Sequence, residues 1–264
     1  MKPISIWIGY DRRETEAFAV CRRTLRKHSY GASINPIDLT ELRRIGLYTR
    51  PTSTVDGKLW DDISDAPMST EFAVSRFLAP ILAQDGWAIF MDCDIMCRRS
   101  LTPLFHALDE TKAVMCVQHD HVPGDTIKMD GQAQTRYARK NWSSVMAFNC
   151  EHKANRKLTA ELINSVPGRD LHRFCWLKDN QIGALRPRFN WLAGVTQGVD
   201  DPCIVHWTEG GPWLEQYRDV AFADEWFQAR REWLAEDVVV PGRATTYERT
   251  PININGTVHA PYLG

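Results

Sequence analysis

Apolar residues fall along the first forty positions in two rhythms. The run ISIWIG (4–9) is continuous, β-rich and closed by a glycine, the pattern of a buried strand. Asp11 then stands three residues ahead of Glu14, a variant of the capping box. Behind it Ala17, Val20, Cys21, Thr24 and Leu25 recur at helical spacing, which predicts a helix of about four turns. ASINPIDL (32–39) reads as a second strand. Strand, helix and strand at this spacing open a parallel α/β sheet.

Residues 41–68 are polar and turn-rich without a sustained period. Helical spacing returns in STEFAVSRFLAPILAQ (69–84), where Phe72, Phe77, Leu78, Ile81 and Leu82 share a face and Pro80 predicts a kink. Strands are expected at WAIFM (87–91), AVMCVQ (113–118), SSVMAFN (143–149) and CIVHW (203–207). A short helix is expected at LTPLFHAL (101–108), another after an Asn149 cap, and a third at NQIGAL (180–185) behind Asp179. Residues 119–140 form a long polar loop, of the kind that is functional or mobile in a compact domain. FADEWFQARREWLAE (222–236) is amphipathic, and the last 28 residues read as coil. The expected fold is therefore α/β, a mixed, mostly parallel sheet flanked by helices. Its main domain spans 1–215, with a helix and extended tail at 216–264 packed on it.

Composition narrows the function classes. The chain has 264 residues, 44% of them hydrophobic, and a net charge of −1, so no bulk field recruits nucleic acid or anionic membrane. The basic run Arg22, Arg23, Arg26 and Lys27 fits a solvated helix face. No 18-residue apolar segment exists, and MKPISIWIGY lacks a signal-peptide core and cleavage site. The seven cysteines are odd in number, lie mostly in apolar runs and lack the clustering of a zinc site. They read as reduced thiols of a cytoplasmic protein.

Against that background AIFMDCDIMC (88–97) stands out, because it delivers Asp92 and Asp94 from the end of a buried strand. In an extended segment the side chains at i and i+2 point the same way, so both carboxylates can face one point. Ligands of open α/β sheets collect at the carboxyl ends of strands, and paired hard oxygen ligands there suit Mn²⁺ or Mg²⁺. The plainer alternative is a turn cap at Asp92 and a solvated Asp94. In CIVHWTEGGPW (203–213), His206 ends an apolar run and offers an imidazole ligand, which favours Mn²⁺ over Mg²⁺. Gly210 and Gly211 would let backbone N–H groups approach phosphate oxygens. Taken alone, a histidine in this place is more often a satisfied structural residue. YARKNWSSVMAFN places Lys140, Asn141, Trp142 and two serines before a strand, a polar and aromatic edge for a sugar-sized ligand or simply a connecting loop. WLKDNQIGALRPRFNWL (176–192) offers Asp179 and Gln181 at a helix start, where capping alone would account for Asp179.

Taken in this order, the motifs resemble those of the family-8 retaining glycosyltransferases, which include glycogenin and bacterial lipopolysaccharide glycosyltransferases on the GT-A fold. The matching segments are IWIGYDRRETEAFAVCRRTLRKHS, FAVSRFLAPIL, IFMDCDIMC, NWSSVMAFN, KDNQIGAL and IVHWTEGGPW, and the resemblance covers roughly residues 3–215. It implies that Asp92, Asp94 and His206 hold Mn²⁺ across the diphosphate of a UDP-sugar. It further implies that Tyr10 and Asp11 flank the uracil and ribose, and that Arg76 orients the nucleotide. Asp179 and Gln181 would sit near the sugar as the catalytic pair, and Gly211 near the diphosphate. Three departures are visible. Trp142-Ser143-Ser144 replaces the family's asparagine-containing segment, Asp179-Asn180-Gln181 replaces its D-Q-D, and Gly211 replaces a phosphate-binding lysine that Lys140 or Lys178 would have to substitute.

The implied reaction is Mn²⁺-dependent transfer of a hexose from a UDP-sugar to a hydroxyl acceptor with retention. Mg²⁺ is the alternative ion. The acceptor is expected to be a saccharide, with a protein or a modified nucleobase as alternatives. A metal-dependent nucleotidyltransferase, a sugar-nucleotide hydrolase and a non-catalytic sugar-binding relative are the rival classes.

Overall fold

The computed structural model describes residues 2–119, 139, 141–239, 252–254 and 257–259. Its centre is a six-stranded sheet in the order β10-β8-β9-β6-β1-β2. These strands are β1 (Ile4–Gly9), β2 (Ser33–Ile37), β6 (Trp87–Met91), β8 (Val114–Cys116), β9 (Val145–Asn149) and β10 (Ile182–Ala184). β1 runs parallel to both β2 and β6, and β10 is parallel to β8. β9 is antiparallel to both of its neighbours, so it alone reverses direction within the sheet. The mixed, mostly parallel α/β architecture expected from the sequence is the one observed. Every residue of β6 and β9 is buried, as continuous apolar runs require when helices cover both faces of a sheet.

Helix α1 (Thr15–His28) buries Ala17, Phe18, Val20, Cys21, Thr24 and Leu25, the stripe seen in the sequence. Asp11 caps the turn ahead of it by accepting from the Arg13 backbone N–H. Arg26, Lys27 and His28 occupy its last turn, where positive charge complements the helix dipole.

A second sheet, β11-β12-β7, joins Trp191–Leu192, Ile204–His206 and Ile95–Cys97. β12 is antiparallel to β7, pairing His206 with Ile95, and parallel to β11, pairing it with Leu192. On this small sheet lies an aromatic cluster of Trp207 and Trp226 with Val20, Met96, Val205 and Ala229, flanked by Trp191, Trp213, Phe222 and Phe227. Helix α7 (Ala223–Val239) supplies part of it. Ion pairs also tie α7 to the body, Arg23 to Glu232 at 2.8 Å and Arg98 to Glu225 at 2.7 Å.

Several elements differ from expectation. The polar stretch after α2 (Leu39–Arg44) folds into an antiparallel sheet of β3 (Thr52–Val55), β4 (Lys58–Asp61) and β5 (Ala66–Pro67). Buried Arg50 pins it by a bidentate pair with Asp61 and by donating to the Ile163 and Val166 carbonyls. Those are long-range partners that no local periodicity reports.

The helix expected over 69–84 is instead a bend, a 3₁₀ turn at Ser75–Leu78 and a short α3 (Ala79–Ala83). Pro80 lies in the first turn of α3, where a missing N–H costs nothing, and does not kink a longer helix. LTPLFHAL shortens to α4 (Thr102–His106). Asn149 does not cap the turn after β9; His152 does, and the Asn149 amide instead donates to the Glu110 carbonyl. Helices α5 (Ala160–Ser165) and α6 (Gly168–His172) follow. NQIGAL is a 3₁₀ turn leading into β10 because Ile182 and Gly183 pair with Val114 and Met115. Within the tail, β13 (Ile252–Ile254) and β14 (Thr257–His259) pair antiparallel.

Candidate active site

The two sheets meet where β6 ends. Asp92 follows β6 and its N–H donates to the Ser144 carbonyl at 2.9 Å. Two residues on, the Asp94 carbonyl accepts from the Trp207 N–H at 3.1 Å, which fixes the D-x-D turn against the end of β12. His206 is thereby held beside Asp94, with its Nε2 3.1 Å from Asp94 Oδ1. One ligand atom from each of Asp92, Asp94 and His206 lies within 4.8 Å of the others.

Each member of the cluster is oriented by a buried partner. Arg76 is 6% exposed, and its Nη1 lies 2.8 Å from Asp92 Oδ1 and 2.9 Å from the Ser143 carbonyl. Its guanidinium also lies over the rings of Phe90 and Phe72, at 4.9 and 5.3 Å. A charged group this deep is tolerable because it is paired and hydrogen-bonded. His206 Nδ1 lies 2.9 Å from Asn190 Oδ1, and the Asn190 amide nitrogen lies 2.9 Å from Ser144 Oγ. Ser143 Oγ is 2.6 Å from His172 Nδ1. Burial, reinforced by the nearby Arg76 charge, pushes the His172 imidazole down to about 3, so it is neutral.

The residues present fit a divalent cation. Octahedral bonds of about 2.1 Å put neighbouring ligand atoms about 3 Å apart, which is the separation of His206 Nε2 and Asp94 Oδ1. Two carboxylates and one imidazole form a hard, mixed O/N donor set that suits Mn²⁺, with Mg²⁺ the harder alternative.

The other residues singled out from the sequence divide. Tyr10 follows β1 at the carboxyl edge of the sheet, half-buried, with its ring edge-on to Phe18 at 5.0 Å. Asp11 is wholly buried, and both its oxygens are occupied. Oδ1 accepts from Arg13 N and Nε, and Oδ2 from Arg13 Nη2 and the Glu71 N–H, so the carboxylate is placed as a cap and not as a ribose contact. These donors hold its pKa below the usual carboxylate value although burial opposes them. Arg76 likewise reaches Asp92 and backbone carbonyls, a brace for the cluster more than an open nucleotide contact. Gly211 is buried under Trp213; a Cβ there would lie 1.9 Å from that ring. Gly210 has φ +143, so this turn needs both glycines.

Asp179 and Gln181 are not brought to the cluster. The register sets Ile182 beside Val114, Val114 beside Phe148, and Phe148 beside Ala88. Gln181 is therefore level with Trp87, at the opposite end of β6 from Asp92, about 16 Å along the strand at about 3.3 Å per residue. Its Oε1 accepts from the Lys178 N–H. The Asp179 side chain is 92% exposed and pairs with Arg139. The strand register thus sets the Gln181 turn apart from the Asp92 cluster, and Lys178 stands at the start of the same turn. Lys140 and most of the 119–140 loop lie outside the described residues.

The serines before β9 stand at the ligand edge suggested by the sequence; what the sequence reading missed is that Ser144, with Asn190, His172 and His119, stands behind the ligands. Ser144 and Asn190 are buried polar residues bordering apolar runs, and that placement was their only local signal.

The fold has known counterparts. The chain has the GT-A fold of family-8-like glycosyltransferases. It superposes on GlyE of Streptococcus pneumoniae TIGR4 with a TM-score of 0.55 at 16% identity, covering 92% of this chain and 66% of that one. The bifunctional glycosyltransferase WbbM gives 0.59 at 13% identity, covering 89% and 51%. The galactosyltransferase LgtC, solved with donor and acceptor sugar analogues, gives 0.53 at 13%, covering 86% and 95%. The chain thus spans just under two thirds of GlyE and about half of WbbM. No protein-family model matches it. In sequence it is 41% identical over 243 residues to Protein CDI of Arabidopsis thaliana, covering 89% of each chain, and it belongs to that protein's family.

Proposed function

We propose that this chain transfers a hexose from a UDP-sugar to a hydroxyl acceptor with retention of configuration, using Mn²⁺ held by Asp92, Asp94 and His206. The observation that carries the reading is the convergence of these three side chains within 4.8 Å at the carboxyl end of β6. That is the edge of an α/β sheet where ligands gather. The GT-A fold shared with sugar-transferring enzymes supports it.

When bound, the cation would stabilise negative charge developing on the departing diphosphate. The protein's own part is to hold that charge centre and its surroundings. Arg76 fixes Asp92, and the buried Asn190 and Ser144 fix His206. The Gly211 N–H is offered to the diphosphate, since the Gly210 N–H already donates to the Trp207 carbonyl, and the Tyr10 ring offers a face for the uracil. The anomeric carbon bonds to the acceptor oxygen as its bond to the diphosphate oxygen breaks, and the acceptor proton passes to the leaving diphosphate. Asp179, exposed and paired with Arg139, is not held among the cluster's buried partners, which supports this same-face course over a double displacement through that carboxylate.

A saccharide hydroxyl is the first acceptor to test. We assign the reaction to the cytoplasm, since all seven cysteines are free thiols. Among the described residues, no helix is long and apolar enough to cross a membrane.

The test is thermal. UDP should raise the melting temperature in Mn²⁺ far more than in EDTA, because ligand bound to the folded state stabilises by mass action. Equal stabilisation in EDTA overturns the metal reading. A screen of nucleotide sugars with Mn²⁺ then identifies the donor, and release of free sugar undiminished by any acceptor would mark a hydrolase.

A further inference from the structure

Asn190 is fully buried, just ahead of β11, the strand that pairs with β12 at His206. A primary amide in such a place is costly unless its donors and acceptor are matched. Its partners are His206 Nδ1 at 2.9 Å, Ser144 Oγ at 2.9 Å and His119 Nε2 at 3.1 Å.

The orientation of the amide follows from Ser144. Its hydroxyl donates to the Asn141 carbonyl at 2.7 Å, and a carbonyl can only accept. The serine oxygen is then left to accept, so the group facing it must be the amide NH₂. The second N–H points to His119 Nε2, which accepts. The amide oxygen is thereby turned to His206. It can only accept, so Nδ1 must carry the hydrogen.

We propose that Asn190 is a positioning residue that fixes His206 as its Nδ1-protonated tautomer and so presents the Nε2 lone pair toward Asp94. With the imidazole neutral, a lone pair facing a carboxylate oxygen at 3.1 Å is unfavourable unless a cation lies between them. Asn190 therefore prepares the imidazole as a ligand before any ion arrives. Without it, His206 would turn its hydrogen to Nε2 and donate to Asp94 Oδ1, closing the ligand pair on itself. The proposal rests on the metal reading above for its consequence, but the tautomer is a property of the protein alone.

The experiment uses the full chain with ¹⁵N-labelled histidine. NMR of the metal-free protein at alkaline pH reads the His206 tautomer, and Mn²⁺ titration followed by electron paramagnetic resonance reads affinity without substrate. Wild type should show the Nδ1–H form. Asn190→Leu should shift it toward Nε2–H and weaken Mn²⁺ binding about 10- to 100-fold, the usual loss when a ligand's hydrogen-bond partner is removed. Asn190→Asp keeps an acceptor on Nδ1 and should restore both the tautomer and most of the affinity.

An unchanged tautomer in Asn190→Leu overturns the proposal. So does equal loss of Mn²⁺ in the Leu and Asp variants, which would mark a merely structural residue. If circular dichroism shows Asn190→Leu unfolded, Ser144→Ala takes its place. It frees the amide to flip and should mix the tautomers, and a pure Nδ1–H form there is equally fatal. A wild type with the Nδ1–H form that binds no Mn²⁺ supports the tautomer assignment and overturns the metal reading, so the two failures are distinguishable.

Discussion

Two segments of this chain place carboxylates beside an apolar strand, one at its end and one at its start, and they meet opposite fates. At the end of β6, Asp92 and Asp94 are drawn in beside His206 and Arg76, each anchored by a buried partner. At the start of β10, Asp179 stands 92% exposed against Arg139, and the Gln181 side chain closes its own turn onto Lys178 N–H. Composition does not separate them; position in the sheet does. β6 delivers its aspartates at the carboxyl edge, whereas the Asp179 turn precedes a strand running the same way and so lies at the amino edge. The lesson is that carboxylates become a site where the backbone lets partners from distant segments converge.

The comparison can be broken most sharply at Asp94. Asp94→Asn should lower Mn²⁺-dependent transfer about a thousandfold, equivalent to ~4 kcal/mol of transition-state stabilisation. Steady-state rates with the donor found by screening would read it, and residual activity near wild type would end the contrast.

Arg76→Leu tests whether Asp92 depends on its partner. Removing one member of a buried pair strands the other, and the site's partial opening suggests the low end of the known range, about 3 kcal/mol. Urea denaturation would measure the loss, and an unchanged midpoint would mean that Asp92 is solvated enough to stand alone.

His172, packed behind Ser143, extends the contrast to pH. Its pKa is held near 3 in the folded protein against an ordinary 6.5, so between those values the unfolded chain binds the extra proton. Stability should therefore fall as pH drops below about 6.5 and level off near 3. His172→Gln should flatten that slope in denaturation midpoints measured across the window; an identical slope would place the imidazole in contact with water.

The smallest effect is expected at the other region. Asp179→Asn should change the transfer rate less than about threefold, since an exposed surface pair contributes ~1 kcal/mol or less. A loss comparable with that of Asp94→Asn would return Asp179 to the catalytic site.

Much of this was legible in the chain. The buried strands at 4–9, 87–91 and 145–149 are continuous apolar runs, the α1 stripe is periodic, and D-x-D, His206 and the Gly-Gly-Pro turn are local patterns of residue type. The sheet over 52–67 was not, because it is held by Arg50 to Asp61 and by carbonyls more than a hundred positions away. The 182–184 strand carries a helical pattern as well, because Ile182 and Leu185 suit either period, and only pairing with β8 decides between them.

The sequence by itself determined which side chains were available and which faces would be buried, since burial follows from apolar period and ligand chemistry from residue type. Tertiary structure alone decided which carboxylates became a cluster. Asp94 and His206 are more than a hundred residues apart, and their 3.1 Å separation exists because β7 and β12 pair antiparallel beside the end of β6. The same register that joins them carries Gln181 to the far edge. Backbone hydrogen bonds between distant strands set such distances, and no local property of either segment encodes the partner it will meet.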